Sequence, residues 1–187
     1  LYTAVVDLKA TDSGCYAAFT LAIYTGMRAA EMVAARWDWL CYTADMQSTY
    51  IKVPGELSKS GNDRFLPISK EVLAELKAVR GNSDYMIPGA TDYARYNTVS
   101  RRHSKWLADH GMKRNGKTNH ELRKYFGATI ATEQGLFAAQ KLLGHSSPQL
   151  TSTSYAALIK MPEPLPLRHA SAQPFSSAGS QEMISVS

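Results

Sequence analysis

Residues Asn119-His120-Glu121-Leu122-Arg123 set an imidazole and a guanidinium three positions apart. On a helix that spacing is one face, so both groups can reach one ligand. Upstream, Thr25-Gly26-Met27-Arg28-Ala29-Ala30-Glu31 puts an arginine at the start of a helical turn, with a carboxylate three residues on that is able to orient it. Leu142-Leu143-Gly144-His145-Ser146-Ser147 places a second imidazole directly after a glycine, where a helix ending exposes it, and Tyr155 follows ten positions later. Lys59 sits in the polar segment Ser58-Lys59-Ser60-Gly61-Asn62. Guanidinium is always charged and offers a planar fork to phosphate oxygens, imidazole titrates near neutrality, and a phenol becomes a nucleophile once its proton leaves. Together these groups could bind an anion, move protons and attack. Taken singly, each has a plainer use: His120 as a local packing residue, Arg123 as a solvated charge and Arg28 with Glu31 as a surface ion pair worth little. Likewise Lys59 and His145 suit exposed turns, and Tyr155 suits a half-buried helix position.

The elements that must position these residues are legible in outline. Over residues 13–35 apolar side chains recur at helical spacing and the Thr25-Gly26 step interrupts them, which predicts a buried helix, a tight turn and a second short helix beginning at Arg28. Two β-rich runs, Thr49 to Val53 and Arg64 to Ile68, flank the Lys59 segment and predict a β-hairpin with an exposed tip. Helices are then expected over 69–80 with Ser69 as cap, 93–110, from a Thr118 or Asn119 cap through 133, 136–143 and 148–159. The expected fold is α+β and mainly helical, with a small antiparallel sheet or hairpin. Beyond Met161 the chain turns to Pro162, Pro164 and Pro166 and then to a Ser- and Ala-rich run, so residues 1–161 are expected to form one domain and 162–187 a flexible tail.

Composition narrows the partners. The chain's 187 residues, 44% of them hydrophobic, suffice for one substantial core. A formal charge of +5 favours a polyanionic partner without identifying it. Cys15 and Cys41 are too few for a disulfide framework, lack paired metal-ligand spacing and are expected to be buried small hydrophobes. No apolar run approaches the roughly 20 residues that span a bilayer, so no membrane partner and a cytoplasmic location are expected. Leu1 rather than Met opens the chain, as in a domain taken from a longer protein.

In this order, TGMRAAE, LSKSGNDRFLPIS, HELRKYFGATI, LGHSS and Tyr155 resemble the tyrosine recombinase family, the phage integrases and site-specific recombinases, over residues 11–160. The resemblance implies a catalytic domain acting on double-stranded DNA, working as a homo-oligomer in a four-protomer synapse, with a separate N-terminal DNA-binding domain absent from this chain. It makes Arg28, Lys59, His120, Arg123, His145 and Tyr155 catalytic, with Glu31 supporting Arg28. The two arginines would neutralise charge building on the phosphodiester, His120 would accept the Tyr155 proton, His145 would donate to a nonbridging oxygen and Lys59 would protonate the departing 5′ oxygen. No metal or nucleotide cofactor is expected, because a 3′-phosphotyrosine stores the bond energy. Type IB topoisomerases and telomere resolvases share this chemistry, and a catalytically silent DNA-binding relative would share the fold. Arg95, Arg101, Arg102, Lys105, Lys113, Arg114, Lys117 and Lys124 are expected to track the DNA backbone. One interval departs from the family pattern: His145 to Tyr155 is a residue longer than usual.

Overall fold

The computed structural model describes residues 2–58, 61–112 and 118–144. Lys59, Lys113, Arg114, Lys117, His145, Tyr155, the expected helix over 148–159 and the expected tail lie outside the described residues.

Helix α1 (Tyr2–Thr11) leads into α2 (Ser13–Thr25) through Asp12, whose carboxylate accepts from the Cys15 amide at 2.9 Å and caps α2. Most of α2 is buried, including Tyr16, Phe19 and Leu21 on different sides, so it runs through the core instead of lying over it. Burying each such Leu- or Phe-sized side chain contributes about 1.5–3 kcal/mol. Gly26 ends the helix at φ +63, its amide bonding the Ala22 carbonyl at 3.1 Å. Helix α3 (Ala29–Ala34) then starts at Arg28, as the sequence predicts.

Strands β2 (Thr49–Val53) and β3 (Arg64–Ile68) form the expected antiparallel hairpin, with Ile51 opposite Leu66 and Val53 opposite Arg64. A third strand, β1 (Leu40–Tyr42), joins the outer edge of β2. Its three residues are too few to display the period-2 alternation that marks a strand in sequence. Asp63 closes the far end of the hairpin: its carboxylate accepts from the Gly55 amide at 2.9 Å and pairs with Lys52 at 2.8 Å. A side chain at Gly55 would stand 2.3 Å from the Gly61 carbonyl, so glycine is what lets the two arms approach here. Cys15 is buried as expected, whereas Cys41 on β1 is only half-buried.

Helix α4 (Lys70–Ala78) begins at the Ser69 cap, whose hydroxyl accepts from the Val72 amide at 3.3 Å. The expected helix over 93–110 is α5 (Asp92–Asn97) and α6 (His103–Asp109) joined by a π-helical turn at Thr98–Arg102. Helix α7 (Thr118–Gln134) packs on α2 and on α8 (Leu136–Leu143). The expected Thr118 or Asn119 cap is not formed as read. The Asn119 amide donates to the Val99 carbonyl at 2.9 Å and its oxygen takes the Nδ1 proton of His103 at 2.9 Å, while the Thr118 hydroxyl finds no partner among the described residues. Tertiary bonding to the π turn thus outcompetes the local cap.

His103 has no exposed surface, lies edge-on to Phe19, and has no partner for Nε2 among the described residues. Burial pushes its pKa down to about 4, against a partly opposing bond to Asn119. Because the folded value is depressed, the unfolded chain takes up this proton first as pH falls from about 6.5, and stability drops until about pH 4. Comparing urea midpoints of the wild type and His103→Gln across this window should show a steeper fall for the wild type, on the order of 3 kcal/mol in all; parallel curves would refute it.

Candidate active site

Glu31 anchors the cluster. It has no exposed surface, and its carboxylate is fully engaged: Oε2 accepts from the Arg28 amide at 2.7 Å and from Arg64 Nη2 at 2.6 Å, and Oε1 accepts from Arg28 Nη1 at 2.9 Å. Burial alone would raise the Glu31 carboxyl, but the Arg64 charge and the bonds from both arginines outweigh it and hold the group below the usual carboxylate range. Since Glu31 is the third residue of α3, its bond to the Arg28 amide also satisfies a donor at the helix start.

The second focus is the Leu143 carbonyl at the end of α8. Arg28 Nη2 donates to it at 3.4 Å, Arg64 Nη1 at 3.3 Å, and Arg123 Nη2 more closely. Three guanidiniums thus meet at a helix C-terminus, the end whose dipole favours cations. Arg123, buried on α7, also donates through Nη1 to the Gly26 carbonyl. Burial first, and then the like charges of Arg28 and Arg64, bring its pKa down to about 10, so it stays charged at neutral pH. Burial also lowers Arg64, with Glu31 opposing.

Two glycines make these approaches possible. Gly26 has φ +63, and a Cβ there would lie 2.4 Å from the Phe126 ring. Gly144 ends α8 at φ +60, and a Cβ would lie 2.8 Å from Arg64 Nη1. Both conformations favour glycine, and both places lack room for a side chain.

A family model for the phage integrase family matches residues 2–161. The chain belongs to the phage integrase family. Among solved structures, the lambda integrase catalytic core is 24% identical with a TM-score of 0.58, over 77% of this chain and 87% of that one. A lambda integrase tetramer bound to a Holliday junction is 23% identical with a TM-score of 0.60, over 79% of this chain and 45% of that one. XerA recombinase is 20% identical with a TM-score of 0.58, over 78% and 52%. The chain therefore spans about half the length of the longer integrase-family structures and most of the isolated catalytic core. A sequence comparison with curated proteins finds no match. Among the described residues no helix is long and apolar enough to cross a membrane, and no three His, Cys, Asp or Glu side chains form a metal-ligand group.

Of the family-type residues expected from sequence, Arg28, Glu31 and Arg123 come together. His120 stands one turn before Arg123 on α7 but is exposed, whereas Arg123 is buried. Lys59, His145 and Tyr155 lie outside the described residues. Sequence reasoning missed Arg64. It looks like an ordinary flanking charge of the hairpin, yet period 2 puts it on the same face of β3 as buried Leu66 and Ile68, and that was the available signal. Among the basic residues, Arg101 and Arg102 are exposed, Arg102 pairing with Asp12, while Lys105 pairs with Asp109 at 2.6 Å and Lys124 with Glu121 at 3.0 Å. Arg95 does not join the expected basic track. It is buried, donates to the Val33 and Gly89 carbonyls at 2.9 Å each, pairs with Asp92 and lies against the Tyr85 ring, so it cannot follow DNA.

Removing the carboxylate would leave Arg64 buried without its counter-charge. Glu31→Ala should therefore lower stability by about 3–5 kcal/mol in urea unfolding, and a loss under about 1 kcal/mol would show that the cluster does not depend on Glu31.

Proposed function

We propose that this chain is the catalytic domain of a tyrosine recombinase, cleaving and rejoining strands of double-stranded DNA through a covalent bond to Tyr155. The observation carrying this reading is the meeting of Arg28, from the turn after α2, and Arg123, from α7, at the end of α8 two residues before His145. A cluster of cations exceeding its carboxylate is suited to a phosphodiester. Integrase-family membership and a relative captured as a tetramer on a Holliday junction support DNA as the partner and a tetrameric synapse as the working assembly.

In this reading the Tyr155 hydroxyl gives its proton to His120, and its oxygen attacks phosphorus. Negative charge builds on the nonbridging oxygens, where Arg28 and Arg123 stabilise it by charge and by fork geometry, and His145 adds a hydrogen bond. A guanidinium has more N–H donors than Arg123 gives to the Gly26 and Leu143 carbonyls, so it can serve protein and phosphate at once. The bond to the 5′ oxygen breaks as Lys59 protonates it, leaving a 3′-phosphotyrosine and a free 5′-hydroxyl. Attack by a partner strand's 5′-hydroxyl reverses the step. Residues 1–161 form the catalytic unit and 162–187 the tail, while Arg101, Arg102, Lys105, Lys117 and Lys124 contact backbone phosphates without reading sequence.

Incubation with nicked suicide-substrate DNA should give a protein–DNA adduct that survives denaturation, and Tyr155→Phe should give none. Arg123→Lys should slow its formation by about 10²-fold or more. Absence of adduct from wild type over varied DNA sequences, or its persistence in Tyr155→Phe, would leave the chain as a DNA-binding relative without this chemistry.

A further inference from the structure

We propose that Arg64 is a positioning residue of the phosphate site, holding Glu31 behind Arg28 and pinning the end of α8 that leads to His145. This role rests on the recombinase reading above.

Arg64 is both buried, with 8% of its side chain exposed against 33% for Arg28, and charge-paired with Glu31, whereas Arg123 is buried but among the described residues bonds only carbonyls. Arg64 is therefore the one arginine of the three whose charge is both enclosed and balanced by a carboxylate. Its fork is also occupied. Nη2 donates to Glu31 Oε2 at 2.6 Å and Nη1 to the Leu143 carbonyl at 3.3 Å, leaving Nε without a partner among the described residues. One side chain thereby ties together the two points that fix the phosphate-binding arginines. Through Glu31 it sets Arg28, because the oxygen that Arg64 does not hold takes Arg28 Nη1 at 2.9 Å. Through Leu143 it sets the terminus onto which Arg123 also folds.

The backbone beneath Arg64 suits this task. Arg64 opens β3 directly opposite Val53 and follows Asp63, which locks the hairpin to Gly55. The residue is thus carried by a paired strand, five positions after Lys59 in the sequence. Gly144 completes the fit, since a Cβ at that position would stand 2.8 Å from Nη1 and displace the guanidinium. A lysine here would keep the charge but could not span a carboxylate and a carbonyl with a two-nitrogen fork.

The test measures suicide-substrate cleavage at saturating DNA, and DNA affinity separately, for wild type, Arg64→Lys, Arg64→Met, Glu31→Gln and the Arg64→Met/Glu31→Gln pair. Circular dichroism fixes a temperature at which each is folded. Misplacing the arginines should slow cleavage by about 10²-fold in both Arg64 variants while affinity stays within about twofold. The double variant should lose less than the product of the two single losses, because the Arg64–Glu31 pair is shared while the Leu143 arm and the Arg28 bonds are not. If the Met variant does not fold, Arg64→Lys decides alone. Cleavage by Arg64→Lys within about twofold of wild type, a loss carried by affinity alone, or single losses that multiply in the double variant would each overturn the proposal. Wild type without adduct overturns the recombinase reading, and this role with it; wild type with adduct beside unaffected Arg64 variants overturns this role alone.

Discussion

Glu31 sits where a carboxylate is costly, out of water, with two guanidiniums closed on it and a third, Arg123, sharing the Leu143 carbonyl with them. Desolvating an ion costs several kcal/mol, which only close, well-aligned counter-charges offset. Arg28 and Arg64 provide them, from the turn after α2 and from β3 respectively. One carboxylate does not balance three cations, however, and among the described residues the Leu143 and Gly26 carbonyls are the further electron-rich groups bonded to them. A helix C-terminus contributes the equivalent of about half a negative charge. The cluster therefore retains a positive excess after every contact among the described residues is counted, which suits an anion.

That arrangement explains why elements far apart in the chain have to meet. Helix α2 threads the core and ends at Gly26; α7 lies against it and delivers Arg123; α8 lies against α7 and presents Leu143; β3 enters from the sheet with Arg64. Each element is ordinary in its own propensities. Their common point is electrostatic, while the surrounding apolar core, from Phe19 and Leu21 to Phe126 and Leu142, holds them at the separation the charges need.

Much of this was legible in the residues themselves. The hairpin bounds follow from β-rich runs on either side of a polar tip, the start of α3 from the Thr25-Gly26 step, and α8 from its apolar spacing and closing glycine. Arg28, Glu31 and Arg123 were legible because a motif lists them together. What escaped depended on three dimensions. Strand β1 is too short to show a period, Asn119 is claimed by a histidine sixteen positions away, and Arg95 hides in a basic run though its fork is spent on carbonyls. Arg64 escaped because a charge at the edge of a hairpin is usually solvated, and only its register opposite Val53 turns it inward.

Gly26 gives the arrangement a mechanical property. The same helix, α7, grips this one residue twice, its Phe126 ring filling the space where a side chain would stand and Arg123 bonding the carbonyl. Arg28 follows two positions later. Thermal breathing of α2 against α7 thus cannot widen the gap between the two cations without opening a packed aromatic contact and a buried charge-assisted bond in the same motion. The pair acts as a caliper with a locked jaw, its span set before any ligand arrives, so the entropy of ordering it is spent during folding and not at the moment of binding.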